Sequence, residues 1–141
     1  ETKQVADALT IPISIGEQET SLHRFRWVIA NRAARMIQPD LHYNGGYIRC
    51  SRVARMAAAA GMPTTLHISG GAMGFVQMLQ FASCTPNLGP FQEYKGGADG
   101  ATAWYEPRMK VKDGRLPVPD GPGLGISLDP QFVAKAEVVR R

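Results

Sequence analysis

The 141 residues carry 16 Lys and Arg against 12 Asp and Glu, a formal net charge of +4, with 44% hydrophobic residues and two cysteines. A chain of this size buries one ordinary domain core, and its scattered basic residues, with no basic run interleaved with aromatics, argue against a nucleic-acid partner. No apolar run is long enough to span a bilayer and no leader pattern is present, so no membrane partner is expected; Cys50 and Cys84, within predicted helices and without paired spacing, suggest reduced, buried thiols in a cytoplasmic protein.

In chain order, Glu1 to Leu9 reads as the end of a helix. Ile11-Pro12-Ile13-Ser14-Ile15-Gly16 is a first strand, closed by Glu17. Thr20 or Ser21 can cap a helix whose Leu22, Phe25, Val28 and Ile29 repeat at helical spacing, leaving His23 off the stripe and exposed. A second, short strand over Arg35 to Gln38 is stopped by Pro39 just before Asp40. Asn44-Gly45-Gly46 turns the chain into a helix from Tyr47 to Ala60, ended by Gly61. Its run of four alanines from Ala57 suits a close helix-on-sheet contact. A third strand, Thr64 to His67, leads through Ser69-Gly70-Gly71 into a helix with Met73, Val76, Leu79 and Phe81 inward. A brief fourth strand ends at Glu93.

Beyond Glu93 the pattern changes. Gly96 to Gly100 reads as a loop, Met109 to Lys112 and Arg115 to Val118 as a hairpin around Asp113-Gly114, Pro119 to Gly125 as a Pro/Gly-rich connection, and Pro130 to Arg141 as a terminal helix. The expected organisation is therefore 1–95 as repeated βα units and 96–141 as a separate hairpin, strap and short helix.

Glu17, Asp40, His67 and Glu93 thus close four successive strand-like runs, 23, 27 and 26 residues apart. A strand, a helix and two loops occupy about that length. In a parallel βα architecture the carboxyl ends of the strands share one face, where chemistry is built. Singly, each residue has an ordinary explanation: Glu17 as a solvent-facing or capping carboxylate, Asp40 as a turn residue, His67 as a half-buried histidine, Glu93 as a hydrogen bonder. Four in register with the βα period point instead to a shared active site. Strand alternation would put Ile13 and Ile15 on the face of Glu17, Met36 and Gln38 on that of Asp40, and Thr65 on that of His67.

An Asp on one strand end and a His on the next suggest a dyad in which the carboxylate fixes the imidazole tautomer and the free nitrogen moves a proton. Glu17 is a hard oxygen ligand suited to Mg²⁺. A protonated Glu93 could donate a hydrogen bond to a developing oxyanion. A closed eight-stranded βα barrel needs ~250 residues, so four βα units read as half of one.

Ile11 to Glu17, Ile37-Gln38-Pro39-Asp40-Leu41 with Gly45-Gly46, Ala57 to Pro63 leading into His67, and the tail from Val111 to Gly125 together closely resemble the enolase superfamily, in its mandelate-racemase-like branch. The resemblance covers nearly the whole chain. It implies the C-terminal half of a TIM-type (β/α) barrel with a C-terminal strap towards an absent capping domain. It also implies Mg²⁺-dependent abstraction of a proton α to a carboxylate, giving an enediolate. Carried over to these positions, Glu17 would be the third metal ligand, His67 the general acid/base, Asp40 its partner and Glu93 the hydrogen-bond donor to the intermediate's carboxylate.

The expected substrate is a small carboxylate, an acid sugar (aldonate or aldarate) dehydrated to a 2-keto-3-deoxy product. Alternatives are racemisation or epimerisation of a 2-hydroxy acid, or a half-barrel without catalysis. The second-strand lysine motif, the other metal ligands and the capping domain are expected upstream, so the isolated piece should be inactive and the N-terminal half is an expected partner. Homo-oligomerisation through barrel helices is also expected.

Overall fold

A computed structural model describes residues 1–95, 104–137 and 139. The chain divides into two compact units, Glu1–Lys95 and Gly96–Arg141.

In the first unit, α1 (Thr2–Ala8) precedes β1 (Ser14–Ile15), α2 (Leu22–Ala30), β2 (Met36–Ile37), α3 (Tyr47–Ala59) and α4 (Gly71–Ser83). β1 and β2 run parallel, with Ser14 opposite Met36 and Ile15 opposite Ile37. The next two segments, expected as strands, continue this order through isolated parallel bridges: Ile37 with Thr64, Asp40 with His67, and Thr64 with Leu88. Thr65 N–H donates to Ile37 O at 2.9 Å and Gly89 N–H to Thr64 O at 2.8 Å. Four extended segments therefore lie side by side in chain order, joined by helical crossovers as parallel pairing requires. All are shorter than the sequence suggested. Proline next to or within them (Pro12, Pro39, Pro63, Pro90) removes ladder donors and limits regular pairing.

α2 starts where expected: Ser21 caps it, its side chain accepting from Arg24 N–H at 3.4 Å. The anticipated stripe packs inward, with Phe25 and Ile29 buried against Ile37, Val53, Ala57 and Met62, and with Leu22 and Val28 at the margin. Of the alanine run only Ala57 is fully buried, which lets α3 approach the sheet closely. α4 buries Phe75, Val76, Met78, Leu79, Phe81 and Ala82; Met73, expected inside, is only half-buried one turn from the helix start. Cys50 is buried in α3, but Cys84 is exposed, correcting the expectation of two buried thiols. It follows the last residue of α4, where the apolar face has ended.

In the second unit, β3 (Tyr105–Glu106) pairs antiparallel with β4 (Ser127–Leu128), and α5 (Pro130–Ala134) follows, capped by Asp129, which accepts from Gln131 N–H at 2.9 Å. Trp104 stacks on Phe132 with ring centroids 5.4 Å apart. The expected hairpin is reduced to one bridge, Lys112 with Arg115, around an Asp113-Gly114 turn with positive φ at both residues. The expected terminal helix is only five residues long. The pairing of β3 with β4 was not anticipated, because each contributes only two residues. The loop expected at Gly96 to Gly100 lies outside the described residues. Among the described residues no helix is long and apolar enough to cross a membrane.

Candidate active site

All four singled-out residues belong to the first unit, and His67 is where they meet. His67 Nδ1 lies 2.7 Å from Asp40 Oδ2, while Nε2 faces Glu17 Oε2 at 3.6 Å and Glu93 Oε2 at 3.8 Å. One ring nitrogen is thus held from behind and the other is presented to the two remaining carboxylates. The imidazole is 15% exposed, Glu93 25% and Glu17 49%, so access to solvent rises outward from Asp40, which is fully buried.

Asp40 sits at the end of the second segment, in parallel register with His67. Its Oδ1 accepts from His42 N–H at 2.7 Å, Tyr43 N–H at 3.0 Å and the Ser69 hydroxyl at 2.8 Å. Burial by itself pushes this carboxyl up; the Tyr43 N–H, His67, Ser69 and His42 N–H bonds outweigh it and hold the group below its ordinary 3.8. An ionised Asp40 accepts a proton-bearing Nδ1, which leaves Nε2 as the nitrogen that exchanges protons.

Behind Asp40, the Cys50 thiol donates to Asp40 O at 3.5 Å and receives Asn44 Nδ2–H at 3.3 Å. Burial pushes that thiol up, so Cys50 is a packing and hydrogen-bonding group rather than a nucleophile.

Two glycines permit this convergence. Gly70, in the left-handed region at the N-cap of α4, brings the helix start so close to the Asp40 loop that a Cβ there would lie 2.5 Å from the His42 ring. Gly16 has φ +126°, and a Cβ there would lie 2.7 Å from Phe25 Cε1, on the helix side. This corrects the alternation expected for the first segment. Ser14, not Ile15, shares a face with the Asp40 strand: its hydroxyl meets Gln38 Oε1 at 3.0 Å, whereas Ile15 is in register with buried Ile37. The irregular turn at Gly16 shifts the alternation by one residue and carries Glu17 to the His67 side. The other two expectations agree with the contacts, Met36 Sδ meeting Thr65 Oγ1 at 2.9 Å on the inner face.

Three contributors were not identified from sequence. Tyr43 lays its ring over His67, centroids 6.2 Å apart and 26° from parallel. Ser69, read only as part of a helix start, completes the shell of Asp40. Lys95 stands beside Glu93, Nζ to Oε1 at 3.7 Å. For the last two a signal was available: each lies two residues beyond a site residue, the spacing that returns side chains to one face of an extended chain.

Glu17 has the chemistry of a hard-cation ligand and is the most exposed of the four. Among the described residues no group of three or more His, Cys, Asp and Glu gathers to hold a metal. Mg²⁺ prefers near-octahedral oxygen coordination, and the described residues do not by themselves form such a site.

Residues 1–132 match the family model described as enolase C-terminal domain-like. Among curated proteins, the chain is 27% identical over 133 residues to a D-xylonate dehydratase of Haloferax volcanii, covering 90% of this chain and 31% of that protein. It is 26% identical over 125 residues to an arabinonate dehydratase of Saccharolobus solfataricus, covering 89% and 33%. Among solved structures, a member of the enolase superfamily from Salmonella Typhimurium superposes with a TM-score of 0.85 at 27% identity, over 95% of this chain and 34% of that one. The chain spans about a third of the length of the curated relatives it matches.

Proposed function

Because the chain belongs to the enolase C-terminal domain-like family, we propose that it supplies the acid/base side of an active site that dehydrates an acid sugar, an aldonate or aldarate, to a 2-keto-3-deoxy acid. The observation that carries this reading is the asymmetry of His67: Nδ1 is bonded to a buried Asp40, and Nε2 is turned the other way, towards the more exposed Glu17 and Glu93. The names of the curated relatives, both sugar-acid dehydratases, support dehydration as the reaction.

In this mechanism a base removes the C2 proton, α to the substrate carboxylate. The electron pair forms a C2=C3 double bond as the C3–O bond breaks. His67, protonated, gives its Nε2 proton to the departing hydroxyl, which leaves as water, and the enol tautomerises to the 2-keto product. Asp40 keeps the imidazole in the tautomer and orientation that aim Nε2 outward, and its negative charge stabilises the imidazolium. Glu93, held at the neighbouring strand end, donates a hydrogen bond in its protonated form to the substrate where negative charge develops.

Glu17 would be one ligand of a Mg²⁺ ion, which when bound supplies positive charge to an anionic substrate. Its remaining protein ligands, the C2 base and the substrate-covering segments would come from an upstream half. In this view Glu1–Lys95 is the C-terminal half of the barrel, and the segment from Pro119 to Gly125 is a strap.

The test is His67→Asn in the polypeptide as its cell makes it, assayed with aldonates and aldarates for 2-keto product and, in deuterated water, for exchange at C2. The expected outcome is wild-type turnover and a loss of roughly 10²- to 10⁴-fold in the variant, the range of general acid/base catalysis. Equal turnover and equal exchange in both proteins would remove His67 from the chemistry. Exchange with inversion and no 2-keto product would assign racemisation or epimerisation instead.

A further inference from the structure

We propose that Lys95 is a positioning residue that clamps Glu93 against the end of the third segment. Glu93 and Lys95 are two residues apart, and both side chains reach the Ile68 peptide. Glu93 Oε2 accepts from Ile68 N–H at 2.9 Å, and Lys95 Nζ donates to Ile68 O. Lys95 Nζ also stands 3.7 Å from Glu93 Oε1. The N–H and the carbonyl of Ile68 are thus engaged by neighbouring side chains, which are in turn paired with each other, closing a ring of three contacts.

The ring fixes the carboxylate one residue beyond His67, whose Nε2 is 3.8 Å from the Glu93 oxygen that accepts from Ile68. At 3.7 Å and half-exposed, the Lys95–Glu93 contact alone stabilises little. Two fixed main-chain partners restrict both side chains, so here the ammonium acts chiefly on orientation. Lys95 itself is 54% exposed, which makes its substitution tolerable to the fold. Its predicted effect on catalysis is an effect on kcat through Glu93, with substrate affinity little altered.

The inference rests on the acid-sugar reading for its catalytic consequence, but its structural content can be measured without turnover. In protein labelled with ¹⁵N-isoleucine, the Ile68 amide, assigned through Ile68→Val, reports the bond to Glu93; the Ile37 amide, bonded to Pro63 O, is an internal control for folding. Lys95→Met should shift the Ile68 amide upfield and speed its hydrogen exchange while Ile37 stays unchanged, and Lys95→Arg should retain the wild-type signal. With acid sugars, Lys95→Met should lower kcat by roughly 10- to 100-fold, the effect of a small misplacement of a reacting group, with KM changed by less than about threefold, and Lys95→Arg should recover most of it.

An unchanged Ile68 amide in Lys95→Met overturns the clamp. A lost amide bond with unchanged kcat overturns its role in positioning. If the wild-type protein shows neither 2-keto product nor C2 exchange, the acid-sugar reading fails on its own, and the Ile68 amide still decides whether Lys95 holds Glu93.

Discussion

His67 Nδ1 and Asp40 Oδ2 are 2.7 Å apart, and the same two residues pair in parallel register at neighbouring strand ends. Backbone ladder and side-chain dyad are therefore one feature: a slip in register would separate the imidazole from the carboxylate that orients it.

Asp40 should govern acid stability. Its folded-state carboxyl lies below its ordinary 3.8, so near that pH the unfolded chain binds more protons than the folded one. The stabilisation is complete above about pH 4, and is lost as pH falls through the lowered value. Thermal unfolding from about pH 2 to pH 6 should show a steep acid limb in the wild type and a flatter one in Asp40→Asn, already less stable at neutral pH. Parallel acid limbs would mean Asp40 is not the group titrating.

Ser69→Ala removes one of the donors to Asp40 Oδ1. A hydrogen bond to a charged group contributes about 1.5–3 kcal/mol, so chemical denaturation at neutral pH should register a loss in that range. The acid limb should move to higher pH, because the ionised form of Asp40 has lost a partner. A variant as stable as wild type would place the hydroxyl outside the carboxylate's shell.

Gly16→Ala combines a strained φ of +126° with a Cβ 2.7 Å from Phe25 Cε1. We expect a loss of roughly 1–3 kcal/mol from strain and overpacking, read as a lower urea midpoint. Because the same turn delivers Glu17, activity should fall by more than the unfolded fraction explains. Retained activity in the folded fraction would mean Glu17 reaches its place without this turn.

Ile37 is fully buried between the strands and the Phe25, Ile29, Val53 and Ala57 cluster. Truncation to alanine leaves a cavity on the helix side and should cost about 2–5 kcal/mol. Urea unfolding monitored by far-UV circular dichroism measures it; a loss well under 1 kcal/mol would mean the helices close over the gap.

If Glu17 is one ligand of a Mg²⁺ site, the polypeptide bearing the whole site should gain stability with the ion, by about 2.7 kcal/mol at a hundredfold excess over Kd. Glu17→Gln should weaken that gain, and residues 1–141 alone should show almost none. Calorimetric scans with and without Mg²⁺ separate these cases; equal gains in wild type and Glu17→Gln would exclude Glu17 as a ligand.

Much of the first unit was legible because its signals are local. The Leu22, Phe25, Ile29 stripe, the Ser21 cap and the Gly46 and Gly61 boundaries each depend on residues within a few positions of one another. The second unit was read less well. Among the described residues its two-stranded ladder joins Tyr105 to Leu128, two short runs without alternation, and their pairing across more than twenty residues leaves no trace in either.

By itself the sequence determined that Glu17, Asp40, His67 and Glu93 end successive βα units, since strand and helix lengths set a period and the period puts strand ends on one face. Only the tertiary structure decided how they face one another. Alternation alone placed Ile15 with Glu17; the irregular turn at Gly16, where φ is +126° and a side chain would meet Phe25, reversed that. Likewise the choice of Nδ1 for Asp40, the shell of Ser69, His42 and Tyr43, and the engagement of the Ile68 peptide by Glu93 and Lys95 arise between segments brought together by register and helix packing. Such contacts are set by three-dimensional approach to within a few tenths of an ångström, a quantity that residue type and spacing along the chain do not encode.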